Sequence, residues 1–155
     1  PAGMMGGAWM GSHFTNDDLV KETRLAKHYR PKLLSSSQGT GAGEPATHYK
    51  ISLYPKPTAP VAWGRIDYHL WERVGKNSSL VIPVSAAYFR KAGDKKARRT
   101  IRFADVKRLG GRFVPATMTV TVAKKPGEYT RLIYLKAKFD VRIPKAKFTE
   151  QALRR

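Results

Sequence analysis

The chain has 155 residues and no cysteine, and its 30 Lys and Arg against 11 Asp and Glu give a formal charge of +19. That length suits one domain, residues 1–155, with enough chain to bury a core, and 41% hydrophobic with 26% charged residues is too ordinary a mix for wholesale disorder. A disulfide scaffold, a thiolate zinc site and a cysteine nucleophile are excluded, and no apolar run approaches the ~18 residues of a membrane-spanning helix.

Pro1 to Met10 are apolar but lack a basic leader, so they do not read as an intact signal peptide. A start at Pro1 leaves room for a cleaved signal or another upstream segment. Ala2 to Gly11 reads as a loop or strand flank anchored by Trp9. Thr15, Asn16, Asp17 and Asp18 look like a helix start, with Thr15 or Asn16 as the cap and the carboxylates against the positive end of the helix dipole. A short helix over 16–28 follows, and Pro31 ends it. Lys32 to Leu34 is a short extended piece. The stretch 35–45, rich in Ser and Gly, reads as a flexible loop.

From there the chain reads as strands. Tyr49, Ile51 and Leu53 alternate with Lys50, Ser52 and Tyr54, and prolines 55, 57 and 60 form the turn. Trp63 to Val74 sets Ile66, Tyr68 and Leu70 against Arg65, Asp67 and His69. Leu80 to Phe89 carries Pro83, a sign of a bulge or edge. Ile101 and Phe103 oppose Thr100 and Arg102, and Met118, Val120 and Val122 oppose three threonines. Arg131 to Val141 reads as the clearest strand, stopped by Pro144, and Phe148 to Leu153 as a closing helical turn. Strands at this spacing, joined by Gly and Pro turns, give a mainly β (α+β) fold: a strongly curved antiparallel sheet with one or two short helices.

Few residues suggest catalysis. The carboxylates are scattered, and the four histidines (His13, His28, His48, His69) lack metal-ligand spacing. His69 and Asp67 share a strand face, which a solvated pair explains as well as acid–base chemistry does. Asp17 and Asp18 read as helix-start charges. No enzyme, metal or cofactor is therefore expected.

The basic residues are a larger signal. Between Arg90 and Arg112 there are ten Lys or Arg against two acids, and from Arg131 to Arg155 eight against two. Arg98, Arg99, Arg102, Lys136 and Lys138 are the anion-binding candidates. Plain solubility competes with anionic lipid head groups, an acidic partner protein and nucleic acid. Nucleic acid is disfavoured, because no RNP-like, KH or zinc-knuckle pattern is present.

Several segments resemble one family in order. Trp9-Met10-Gly11-Ser12-His13-Phe14-Thr15-Asn16-Asp17-Asp18-Leu19 is similar to the MGSDF(T/S)xxDL signature of the outer-membrane lipoprotein-sorting proteins, part of the LolA/LolB-like superfamily. Phe103-Ala104-Asp105-Val106-Lys107, then Gly110-Gly111 to Met118, resembles that family's FSDIKxxGGxxVPTxM. Lys125-Pro126-Gly127-Glu128-Tyr129-Thr130 and the ending Phe148 to Arg154 also fit. The resemblance implies a periplasmic carrier-like domain of a Gram-negative envelope, built as an unclosed half-barrel whose concave face takes acyl chains of a lipoprotein or lipid. Ile66, Tyr68, Leu70, Ile101, Phe103, Met118, Val120 and Val122 are the expected lining, with basic side chains at the rim. A simple filled core under helix 16–28 is the competing reading. The motifs belong to the family's C-terminal part, so a further N-terminal segment or a swapped homodimer would complete the sheet. His13 stands where the signature is acidic. The alternative function is a cationic module that binds polyanions or an acidic partner.

Overall fold

A computed structural model of the chain describes residues 7–15, 18, 22–76, 78–142 and 144. Seven antiparallel strands form one sheet in simple sequence order: β1 (Tyr29–Gly41), β2 (Glu44–Pro55), β3 (Arg65–Val74), β4 (Ser79–Phe89), β5 (Arg99–Leu109), β6 (Arg112–Val122) and β7 (Tyr129–Ile133). The sheet does not close, because β1 and β7 remain its two edges. Among the described residues a 3-10 turn (Trp9–Gly11) and one helix, α1 (Glu22–His28), accompany it. This is the expected mainly β meander.

Two expectations are corrected. Residues 35–45 are not a loop: they continue β1 through a two-residue turn into β2. Ala42 and Gly43 both have positive φ, 52° and 83°, the geometry that matches the twist of a tight hairpin. The glycines before the turn serve close approach instead. A Cβ at Gly39 would lie 2.8 Å from the His48 ring, and one at Gly41 would meet the Trp71 indole. Gly41→Ala is therefore expected to lower stability by about 1–3 kcal/mol through overpacking. Urea unfolding would show this as a lower midpoint, and an unchanged midpoint would mean that the indole moves freely.

Secondly, the last strand stops at Ile133 instead of running to Val141. Its pairing with β6 ends at Thr117↔Ile133, and the Tyr134 amide still donates to Ala116 O at 2.7 Å. The next residue on β6, Pro115, faces Val106 of β5. The chain then passes the β5–β6 turn, where a Cβ on Gly110 would meet Ala137 O, and Arg112 holds Asp140 at 2.5 Å. α1 ends at His28, before Pro31 as expected, and leads directly into β1, within which Pro31 lies. Lys56 Nζ donates to Ala26 O and Lys27 O, 3.2 and 2.9 Å, satisfying carbonyls at the helix C-terminus. Asn16, Asp17, the start of the expected helix beyond Asp18, and the expected turn over 148–153 lie outside the described residues.

Pro83 does mark a bulge. Pairing along β3–β4 shifts between His69↔Ser85 and Leu70↔Pro83. Beyond it β4 and β5 separate, sharing pairs only from Ser85↔Arg102 to Tyr88↔Arg99.

Candidate functional site

Strand alternation gives the sheet two chemically different faces. On the inner face one cross-strand row runs Leu33, Ile51, Tyr68, Ala86, Ile101, Val120. From β4 to β6 this row is sealed. Ala86, Ile101 and Val120 join Phe14, Tyr29, Ile66 and Tyr88 in one buried cluster, with Trp9 and Leu25 packed against it. Phe14 is 1% exposed, and the Trp9 amide donates to Phe14 O at 2.7 Å, so the segment before α1 plugs this half of the face. Toward β1 the row opens: Tyr68 and Ile51 are half-buried, and Leu33 is 57% exposed.

Ile66, Ile101 and Val120, expected to line a pocket, are thus core. Tyr68, Phe103 and Met118 are half-buried at the margin of that core, and Leu70 is half-buried on β3. Val122 instead lines an open cleft of about 400 Å³ at the ends of β5 and β6, together with Arg99, Thr121, Lys125 and Tyr129. The open apolar wall is Leu33, Ile51, Tyr68 and Leu70 on β1 to β3. Ile51 was legible from its alternation. Leu33 was hidden because β1 did not read as a strand.

The basic candidates separate in the same way. Arg99 shares the inner face with Ile101, is 5% exposed, and pairs bidentately with Asp18, with Nη1 3.1 Å from Oδ1. It is not a surface anion site. Its guanidinium also lies 5.5 Å from the Tyr88 ring centre, and burial pushes the Tyr88 hydroxyl pKa up. Asp18 accepts from Thr15 N and Oγ1 at 2.8 and 2.9 Å, so this carboxylate ties the N-terminal segment to β5 rather than serving a helix dipole alone. Arg102 is exposed on the outer face, opposite Ser85 and Thr119. Arg98 is exposed just before β5, and Lys136 and Lys138 lie beyond β7. The five cations do not converge.

His13, at the signature's acidic position, joins the plug to β7. Its amide and Nδ1 lie 3.1 and 2.8 Å from Thr130 Oγ1, and its Nε2 is 3.6 Å from Glu128. An acid there would face Glu128.

Asp67 and His69 do not combine. Asp67 accepts from Ser52 Oγ at 2.6 Å and pairs with Arg65 at 3.1 Å. His69 Nε2 lies 2.9 Å from His48 Nδ1, and His48 Nε2 donates to Thr40 O at 2.8 Å. Among the described residues no three His or acidic side chains cluster as metal ligands. Burial, then the nearby His48 and Lys50, holds the His69 pKa below its ordinary 6.5. The unfolded chain takes up that proton first, so this contribution to stability is complete above pH 6.5 and is lost as pH falls below it. Thermal melts from about pH 7.5 to pH 5 should show a falling Tm that flattens in His69→Gln. Parallel profiles would exclude this histidine as the cause.

A family model described only as an uncharacterized protein matches residues 1–155. No curated protein matches the chain. A solved structure, a DUF1329 family protein from Desulfovibrio piger, is similar with a TM-score of 0.69 at 20% identity. The match covers 97% of this chain and 57% of that one, so this chain spans a little over half the length of that protein.

Proposed function

We propose that this chain, which belongs to the uncharacterized family whose model matches it over residues 1–155, is a non-enzymatic binding protein for an acyl or other apolar ligand of the cell envelope. The observation that carries this reading is the inner-face row that leaves the filled core and continues, still apolar, to exposed Leu33. Leu33, Ile51, Tyr68 and Leu70 offer one continuous wall on which an acyl chain gains about 0.8 kcal/mol per buried CH₂. The order of motifs resembling the lipoprotein-sorting proteins supports a LolA-like carrier or sorting role in the periplasm, and the open sheet is compatible with it. The wall is one-sided, so the ligand's other flank is covered by a further segment or a partner.

The test is uptake of a fluorescent acyl probe by delipidated protein, with mass spectrometry of lipid extracted from the untreated protein. Stoichiometric lipid and saturable uptake are expected, with Ile51→Asp weakening uptake about tenfold or more. Clean protein that takes up no probe would sink the carrier reading.

A further inference from the structure

The outer face carries a second feature that an inner-face ligand does not use. One cross-strand row there reads Lys50, His69, Ser85, Arg102, Thr119, Arg131. Its three cations are exposed, its hydroxyls are half-buried between them, and it contains no acid. Strands lie about 4.8 Å apart, so Lys50 and Arg102 stand about 14 Å apart along the row and Arg102 and Arg131 about 10 Å. Among the described residues none of the three cations is in an ion pair. Of the acids flanking the row, Asp67 is engaged by Arg65 and Ser52, and Asp105, on the other flank, accepts from Thr117 Oγ1 at 2.6 Å.

At the β7 end the row acquires apolar neighbours. Tyr129 and Ile133 lie two positions either side of Arg131 on the same face of β7, and are 57% and 54% exposed. The Arg131 guanidinium lies 5.3 Å from the Tyr129 ring centre. Exposed aromatic and aliphatic side chains beside an arginine suit the head-group layer of a bilayer, where apolar burial and charge attraction add. Stacked bases are poorly served, because Tyr129 stands at one end of the row and Trp71, nearer its middle, is only 5% exposed.

We infer that the outer face, through Lys50, Arg102 and Arg131 with Tyr129 and Ile133, docks this protein on the surface of a bilayer containing anionic lipid. The cations meet phosphates, the serine and threonine hydroxyls hydrogen-bond head groups, and the β7 edge enters the interface. This surface is separate from the inner wall, so it stands or falls independently of acyl-chain uptake.

The experiment is co-sedimentation of the protein with phosphatidylcholine vesicles, with and without phosphatidylglycerol, at low and near-physiological salt. Binding is expected only to the anionic vesicles and should weaken with salt. The triple variant K50Q/R102Q/R131Q should lose roughly a hundredfold in affinity, since each cation near the surface contributes comparably. The variant Y129S/I133S should lose about tenfold even at the higher salt. Equal binding to neutral vesicles, no binding at low salt, or a folded triple variant that binds like the parent would overturn the inference. So would a single-stranded oligonucleotide that binds the same residues more tightly than the vesicles. If the triple variant does not fold, the contrast between neutral and anionic vesicles with the parent protein still decides.

Discussion

Arg99→Ala is expected to lower unfolding free energy by about 3–5 kcal/mol, because it removes the cation paired with a buried carboxylate. Asp18 is paired in a site where the two side chains are 3% and 5% exposed, and Arg99 also lies near the ring of buried Tyr88. Removing the guanidinium takes away the cation that balances Asp18 and leaves the Thr15 hydrogen bonds in place. The carboxylate must then bind a proton or draw in water, and either response loosens the N-terminal plug. Denaturant unfolding measures the loss, and Arg99→Met with Asp18→Leu should recover much of it, since an apolar pair of similar volume removes both desolvation penalties. A loss below about 1 kcal/mol in the single variant would show that the pair is solvated. Arg102→Ala, three residues along the same strand but on the outer face, should change stability by no more than about 0.5 kcal/mol.

This contrast shows what the sequence made legible. Arg98, Arg99 and Arg102 form a single basic cluster when charge is counted, yet β5 alternates. Ile101 and Phe103 define its inner face, and the same period places Arg99 with them. The signal was present in the spacing, and the expectation of a surface site ignored it in favour of residue type. Most strands were legible for the same reason: two-residue periodicity bounded by Gly and Pro is a local property of chain geometry. β1 was not, because Ser35 to Gly41 lacks apolar alternation. Its glycines answer to His48 and Trp71 on other strands, a long-range cause that no local window contains. The overextended last strand has the opposite origin. Its alternation continues past Ile133, but pairing depends on the neighbour, and beyond Tyr134 the chain leaves β6 for the β5–β6 turn, where Ala137 O approaches Gly110 and Asp140 meets Arg112.

The motifs that carry the family resemblance also acquire physical roles. Asp105, with φ of 53°, accepts from Thr117 Oγ1 at 2.6 Å, which links the two halves of the second motif across the β5–β6 hairpin. In the first motif Phe14 enters the core, Asp18 binds Arg99, and His13 fastens to β7. These residues build and close the inner face. The open apolar wall, Leu33 to Leu70, lies between the two motifs.

Phe14→Ala tests the division of the inner face into plug and open wall. Phe14 is among the largest fully buried side chains, and its truncation should cost about 3–5 kcal/mol. The cavity would open beside Ile66, Ile101 and Val120, the residues whose burial now restricts the apolar wall to β1 through β3. If acyl chains lie on that wall, the folded fraction of Phe14→Ala should hold the probe at least as tightly as the parent protein, because apolar surface is added next to the site. Phe14→Leu keeps most of the volume and should cost less, with no gain in uptake. Urea midpoints and probe titrations on the same samples separate the two effects. A stable Phe14→Ala would contradict the plug. A folded Phe14→Ala whose probe affinity collapses would move the ligand site from the β1–β3 wall to the N-terminal segment itself.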